Sequence, residues 1–336
     1  MGGAAGAGCT DPSTTPGSAC GALSFDVSSV MSRKRNHHGT FLATSKAGTF
    51  IYVAGGVNAN VLMNNVDRYP VNADGTLGEG APDSALGVGL GGFTGGVVSN
   101  VIVIAGGMGI SGVQSAAYSA VVGDDGTLAA WQPAGSVLKP RMHPGSVVHG
   151  NSIYVMGGFE DPTVWDDIVR ATLSPDGTLS TWSSAGTLPA PRSHFSVTLV
   201  GDDVYLAGGL DKSALSNPPM LTTVWHGQIG ADDTIGQWTM MPPLPVGLAT
   251  HSSFFFGGYL YVGGGIDNAP AQEKRFWRAP INPDHSLGAW ESTTPLPIAR
   301  GHVHQLPIFG NHVYSFSGAI DFNLDSTDQI DIGTFQ

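Results

Sequence analysis

The sequence predicts an all-β fold built from one repeated unit, and two recurring phrases carry this prediction. The first phrase is a short apolar strand ending in two glycines. Its copies are IYVAGG ending at Gly56, VIVIAGG at Gly107, IYVMGG at Gly158, VYLAGG at Gly209, LYVGGG at Gly265 and a degenerate VYSFSG at Gly318. Successive copies are 51, 51, 51, 56 and 53 residues apart. A period this narrow along the whole chain indicates a repeat architecture.

The second phrase is a tight turn followed by a tryptophan. Asp125-Gly126-Thr127-Leu128 leads to Trp131, and the same pattern leads to Trp182, Trp238 and Trp290, whereas the first copy has Gly80 at that place. Asp-Gly favours the positive-φ turn between two antiparallel strands. We expect the tryptophan to begin the next strand and to pack between neighbouring sheets.

The repeat length predicts the architecture. A unit of about 50 residues with four short strands is typical of one propeller blade. The sequence therefore predicts a six-bladed β-propeller of four-stranded antiparallel blades over residues 23–336. Only 18 residues follow Gly318, enough for one more strand, so we expect the N-terminal strand at Leu23–Val27 to complete the last blade and close the ring.

Composition agrees with such a fold and limits the function. The chain has 49 glycines and 22 prolines, 41% hydrophobic and only 12% charged residues, which favours many short strands joined by turns. A formal net charge of −12 disfavours nucleic acid as a partner. No apolar run is long enough to span a membrane, and neither a Gly-x-Ser-x-Gly elbow nor a phosphate loop occurs. We expect a monomer, because a closed ring needs no partner.

The leader, residues 1–22, is small, polar and predicted to be flexible. It holds both cysteines of the chain, Cys9 and Cys20. Three interpretations stay open: a Cys9–Cys20 disulfide, a lipid-anchor cysteine at Cys9, or two inert thiols. The first two imply export, so the expected location is periplasmic, extracellular or lipid-anchored.

A third phrase supplies the candidate site. Arginine and histidine, two residues apart, precede the first strand of four repeats, as Arg35 and His37, Arg141 and His143, Arg192 and His194, and Arg300 and His302. The fifth repeat has Ala249-Thr250-His251, and the second has Leu90 and Gly92 at these places. Rotational copies of a sheet bring one column of side chains to a common axis, so we expect these residues to converge there.

The glycine pair with a downstream tryptophan resembles the kelch repeat, over roughly residues 23–336. The resemblance implies that the strand after the Arg-x-His phrase is innermost and that the phrase rims one channel mouth. In kelch adaptors of ubiquitin ligases, residues at this rim capture acidic peptides. Carried over by position, Arg35, Arg141, Arg192 and Arg300 are expected to bind a carboxylate or phosphate of a small molecule or acidic peptide. Alternatively, they hold loop carbonyls between blades.

The histidines offer a second hypothesis. Three or four neutral imidazoles on the axis suit copper, iron or zinc, with His37, His143, His194, His251 and His302 as candidate ligands. Gly92 would leave an opening beside such a metal, as an oxidative or hydrolytic enzyme requires. Alternatively, these histidines have only a structural role. A carbohydrate-active propeller, such as a sugar mutarotase, is a third possibility, and the sequence alone leaves open whether the protein is an enzyme.

Overall fold

The computed structural model describes residues 23–212, 219–269 and 271–336. Within these ranges every element named below is a β-strand. The leader with Cys9 and Cys20 lies outside the described residues, so the interpretations of that segment stay predictions. In the described ranges, no helix is sufficiently long and apolar to cross a membrane.

The strands are short and follow one another closely. The first half contains β1 (Leu23–Val30), β2 (Gly39–Ser45), β3 (Gly48–Ala54), β4 (Val57–Asn58), β5 (Val61–Leu62), β6 (Val66–Val71), β7 (Ala81–Asp83), β8 (Thr94–Val98), β9 (Val101–Ala105), β10 (Met108–Gly109), β11 (Gly112–Val113), β12 (Ala116–Val121), β13 (Gln132–Ser136), β14 (Gly145–His149), β15 (Ser152–Met156) and β16 (Phe159–Glu160). The second half contains β17 (Thr163–Val164), β18 (Asp167–Thr172), β19 (Ser183–Thr187), β20 (Ser196–Val200), β21 (Asp203–Ala207), β22 (Val224–Ile229), β23 (Ile235–Met241), β24 (Leu248–Ala249), β25 (Ser252–Phe256), β26 (Tyr259–Gly263), β27 (Ile266–Asp267), β28 (Phe276–Pro280), β29 (Glu291–Thr293), β30 (Ile308–Phe309), β31 (His312–Phe316) and β32 (Gln329–Phe335).

These strands form antiparallel sheets that follow the sequence repeats. Within the described ranges, four sheets have four strands, in the orders β2-β3-β6-β7, β8-β9-β12-β13, β25-β26-β28-β29 and β30-β31-β32-β1. A further sheet has eight strands, in the order β14-β15-β18-β19-β23-β22-β21-β20. Four two-stranded sheets are separate from these: β4-β5, β10-β11, β16-β17 and β24-β27. The first strands of five repeats are innermost, because β2, β8, β14, β20 and β25 contact one another in that order.

The third and fourth repeats share one sheet, where the sequence predicts two four-stranded blades. A single parallel bridge between Gly186 in β19 and Ile235 in β23 joins them into the eight-stranded sheet. Gly186 permits this close approach, since a Cβ atom there would lie 2.2 Å from the carbonyl oxygen of Ile235. The architecture is thus all-β and propeller-like, with one continuous sheet shared by two repeats.

The N-terminal strand lies where the sequence predicts. Strand β1 pairs antiparallel with β32 from Leu23↔Phe335 to Val30↔Gln329. The apolar core also continues across this junction. Ile51 and Val53 of the first repeat pack with Tyr314 and Ile330 of the sixth in one buried cluster. The first and last strands of the described residues therefore belong to the same sheet, which covers an otherwise unpaired edge.

Hydrogen bonds from tryptophan and tyrosine side chains connect neighbouring repeats. The indole nitrogens of Trp131, Trp182, Trp238 and Trp290 donate to carbonyls of the preceding repeat, at Ser84, Ala134, Thr187 and Pro242, at 2.8–3.0 Å. In the other direction, the tyrosine hydroxyls of the glycine-pair strands donate to the turn of the following repeat, as Tyr52 does to Gly126 at 2.6 Å. These contacts confirm the expected position of the tryptophans between sheets.

Candidate metal centre

Six residues, one from each repeat, form a closed ring of backbone hydrogen bonds. Each N–H donates to the carbonyl of the ring residue of the preceding repeat, at 2.7–3.1 Å. The members in chain order are His37, Gly92, His143, His194, Thr250 and His302. Because the cycle closes on itself, it holds four imidazoles at one level around a common axis.

The ring residues have an unusual backbone conformation. The four histidines have φ of 51–57° and Thr250 has 54°, in the left-handed region that side chains other than glycine rarely adopt. Gly92 has φ of 66° and adopts it without steric cost. Four histidines therefore occupy a backbone conformation that suits glycine better. This strain indicates a role for their imidazoles.

The imidazoles are packed as two stacked pairs. The ring centroids of His37 and His302 are 3.9 Å apart, and so are those of His143 and His194. The two pairs meet at His37 and His143, whose centroids are 4.9 Å apart. One ring nitrogen from each of His37, His143 and His302 lies within 4.8 Å of the other two. Three nitrogens on one tetrahedral ion are about 3.4 Å apart, so binding needs the nitrogens to approach by up to about 1.4 Å.

Neighbouring groups orient two of these rings. The side-chain amide nitrogen of Asn36 donates to Leu324 and Ser326, so its oxygen faces His37 and accepts from the Nδ1–H of that ring. Nδ1 of His143 lies 3.3 Å from Nε2 of His304. In His37 the Nδ1–H tautomer leaves the Nε2 lone pair available, the arrangement that outer partners impose on metal-binding histidines. His143 has the same arrangement when its Nδ1–H donates to His304.

Burial keeps these imidazoles neutral. Desolvation, followed by the nearby His304, lowers the pKa of His37 to about 3, and desolvation lowers the pKa of His304 to about 4. The pKa values of His143, His194 and His302 are also well below the ordinary value, first from desolvation and then from the neighbouring rings. Neutral imidazole is the form that binds a metal without first losing a proton.

A cavity of about 340 Å³ opens beside the four ring histidines. Its other walls are Met108, Val113, Met142, Phe159 and Asp161. Gly92 borders the cluster as well, since Nε2 of His143 lies 3.4 Å from the position of a Cβ atom on that residue. The opening expected at Gly92 thus adjoins an imidazole nitrogen.

His304 is a site residue that the sequence reasoning missed. It lies two positions after the ring residue His302, where the other repeats have Gly39, Thr94, Gly145, Ser196 and Ser252. The imidazole reaches His143 and also lines a second cavity, of about 290 Å³, on the inner strands. The signal was available: one large side chain among five small ones at equivalent positions is expected to extend into the channel.

His251, a candidate ligand from the sequence, lies outside the group of three histidines whose ring nitrogens converge. The ring position of the fifth repeat is Thr250, whose N–H donates to His194 at 2.8 Å. The ring of His251 instead packs against Gly208, where a Cβ atom would lie 2.7 Å from its Cε1. Counting 15 residues back from Gly107, Gly158, Gly209 and Gly265 gives Gly92, His143, His194 and Thr250. This constant spacing shows that the ring residue of the fifth repeat is Thr250, one position before the histidine of the sequence phrase.

Known proteins share this architecture over parts of the chain. The chain is 27% identical over 183 residues to beta-scruin of Limulus polyphemus, which covers 51% of this chain and 18% of scruin. It is 23% identical over 194 residues to Kelch-like protein 36 of Mus musculus, covering 45% and 31% of the two chains. The solved structure of YjhT superimposes with a TM-score of 0.71 at 13% identity, over 93% of this chain and 100% of that one. These similarities support a kelch-repeat β-propeller family for the chain.

The comparisons support the kelch fold and no particular activity. No family model matches the chain. The cowpox virus Kelch repeat and BTB domain-containing protein 1 is 27% identical over 138 residues, which is 41% of this chain and 23% of that protein. The chain therefore spans less than a third of the length of these curated relatives.

The kelch arginines are buried instead of lining the mouth. Arg35, Arg141, Arg192 and Arg300 are at most 3% exposed. Arg141 donates to the carbonyls of Gly157 at 2.8 Å and Val137 at 3.2 Å, and to Asp167 at 2.8 Å. The others make the same kind of contact, Arg35 with Asp67, Arg300 with Asp331, and Arg192 with the Gly208 carbonyl and Thr223. Burial lowers the pKa of Arg192 to about 10.

These contacts correspond to the alternative interpretation of the arginines, in which they hold loop carbonyls. A guanidinium already engaged by carbonyls and a carboxylate has few donors left for a ligand. In this conformation none of these four arginines is exposed, so they do not form the anion site expected from the sequence.

Proposed function

We propose that this kelch β-propeller binds one transition-metal ion, copper, iron or zinc, through His37, His143 and His302. The observation that carries the proposal is the convergence of three buried, neutral imidazoles with ring nitrogens within 4.8 Å of one another. His194 stacks on His143 and lies on the same cavity, so it is a further candidate ligand.

The proposal includes a ring of six blades around the metal. The closed cycle of six backbone hydrogen bonds supports this number, because each repeat contributes one member. The pairing of β1 with β32 supports closure between the last and first repeats. The single bridge between β19 and β23 is a local contact of two adjacent blades within that arrangement.

The surroundings favour a site of catalytic type. Three protein ligands with a free coordination position are typical of catalytic metal centres, whereas structural centres are closed by four. The cavity beside the histidines provides space for a small molecule at that position. The chemistry expected is oxidative or hydrolytic, at an ion held in a site from which bulk water is largely excluded. The anionic ligand considered from the sequence receives no such support, since the four arginines are buried and hydrogen-bonded within the protein.

Metal analysis of matched histidine variants tests the proposal. Purified protein reconstituted with copper, iron or zinc and then desalted is expected to retain about one ion per chain. His143→Ala removes a ligand and is expected to lower the affinity by more than about 100-fold, beyond the usual effect of outer-sphere changes. His251→Ala is the control, because it also removes a buried histidine of the same sequence phrase, and it is expected to retain the metal.

The results separate a metal site from a structural cluster. Circular dichroism checks that both variants keep the fold. If the wild-type chain retains no ion, or if His143→Ala and His302→Ala retain it as well as His251→Ala does, the histidines are structural and the proposal is wrong.

A further inference from the structure

The cavity that opens beside the histidines contains two thioethers. We infer that the metal centre selects monovalent copper, with Met108 and Met142 as soft sulfur ligands beside the imidazoles. This inference rests on the proposed function and deepens it by naming the ion. Thioether sulfur favours copper(I), whereas imidazole alone also suits zinc, iron and nickel.

Met142 is held next to a candidate ligand. It precedes His143 and exchanges two backbone hydrogen bonds with Phe159, at 2.9 and 3.0 Å. Its terminal methyl carbon lies 3.6 Å from the position of a Cβ atom on Gly92, and Nε2 of His143 lies 3.4 Å from that same position. The thioether end of Met142 and Nε2 of His143 therefore border one gap, which exists because Gly92 has no side chain.

Met108 approaches the gap from the neighbouring repeat. It exchanges backbone hydrogen bonds with Gly91, at 2.7 and 3.1 Å, and Gly91 adjoins the ring residue Gly92. Met108 lines the same cavity as Met142 and the ring histidines. Backbone pairing thus holds both methionines, Met108 with Gly91 and Met142 with Phe159, and both side chains have flexible ends that adapt to an ion.

The charge of the site favours a monovalent ion over a divalent one. The candidate ligands are neutral imidazoles and thioethers, and Val113 and Phe159 complete an apolar wall. Among the residues that line the cavity, Asp161 carries the carboxylate, and it is exposed. The buried carboxylates of Asp67 and Asp331 are paired with arginines. Burying an ion without a compensating charge is costly and the cost rises with its charge, so a +1 ion is favoured.

A competition experiment with wild type and methionine variants tests the selectivity. Copper(I) affinity is measured anaerobically by competition with the chromogenic chelator bathocuproine disulfonate, and zinc(II) affinity by competition with a zinc indicator. The double variant Met108→Leu/Met142→Leu keeps side-chain volume nearly constant. We expect it to lower the copper(I) affinity by about 10–100-fold and to leave the zinc(II) affinity unchanged. Met240→Leu, at a methionine that is 61% exposed, is the control.

X-ray absorption at the copper edge is the second measurement and needs no variant. A sulfur scatterer in the first shell of the copper-loaded wild-type chain supports the inference, and a shell of nitrogen or oxygen alone overturns it. Equal copper(I) affinity of wild type and double variant also overturns it. If zinc(II) binds through the histidines under that outcome, the proposed metal centre survives and only the copper selectivity fails. If neither ion binds, both fail.

Discussion

Replacing Arg141 by methionine tests whether the kelch arginines are structural. The substitution removes a guanidinium that is 0% exposed and leaves the Gly157 and Val137 carbonyls without this donor. It also leaves Asp167, whose side chain is 17% exposed, with only Lys139 at 3.5 Å. Breaking one side of a buried ion pair costs about 3–5 kcal/mol, so we expect the free energy of unfolding to fall by about 4 kcal/mol. That is a large part of the stability of an ordinary domain.

Arg170→Met is the matched control in the same repeat. Arg170 pairs with Asp233 at 2.9 Å, but the two side chains are 25% and 50% exposed. Solvent screens such a pair, so its loss is expected to cost no more than about 1 kcal/mol. Urea unfolding monitored by tryptophan fluorescence measures the free energy of unfolding of both variants. The two values can be compared if the m-values are equal. The double variant Arg141→Met/Asp167→Leu removes both charges and is expected to recover much of the loss.

The two variants also distinguish a structural role of Arg141 from a role in anion binding. If Arg141→Met and Arg170→Met lower the free energy of unfolding equally, the guanidinium of Arg141 does not hold the loops. An accompanying loss of phosphate binding, measured by calorimetry, would then return Arg141 to the anion site expected from the sequence. Unchanged phosphate titrations together with a large loss of stability would agree with the structural role.

Two further predictions concern the junctions and turns. Tyr314→Phe removes the hydroxyl that donates to the Gly75 carbonyl at 2.8 Å, linking the last repeat to the first. We expect a loss of about 1–2 kcal/mol in urea unfolding, because a buried carbonyl loses its partner; an unchanged midpoint would contradict this. Side-chain and backbone hydrogen bonds from Thr178 lower the pKa of Asp176, and the equivalent turns lower those of Asp74, Asp125, Asp232 and Asp284. A carboxyl that is more acidic when folded stabilises the protein above its unfolded pKa, and this contribution is lost as the pH falls through the folded value. Asp176→Asn should therefore make the fall in stability below about pH 4 shallower, as measured by urea unfolding across that range; an identical slope would be evidence against the turn bonds.

The repeat, the strand order within a unit and the pairing of the two chain ends were predictable from local patterns. Glycine pairs and Asp-Gly turns specify where strands end and reverse, and these depend on neighbouring residues along the chain. Tryptophans at constant offsets identify which faces meet. The continuous sheet of the third and fourth repeats was not predictable, because the bridge of Gly186 to Ile235 depends on how two sheets approach each other.

The candidate site also has a part that was predictable from the sequence and a part that was not. The repeat spacing predicts that a column of arginines and histidines recurs at the start of the inner strands. The positions of individual side chains depend on contacts between repeats: Arg141 donates to the carbonyls of Gly157 and Val137, Thr250 and not His251 occupies the ring, and His304 reaches His143. The physical reason is that burial and partner choice are properties of atoms brought together from different repeats. A column of residues predicts a shared position on the axis, and the packing around each member determines whether its side chain faces a ligand or a neighbouring loop.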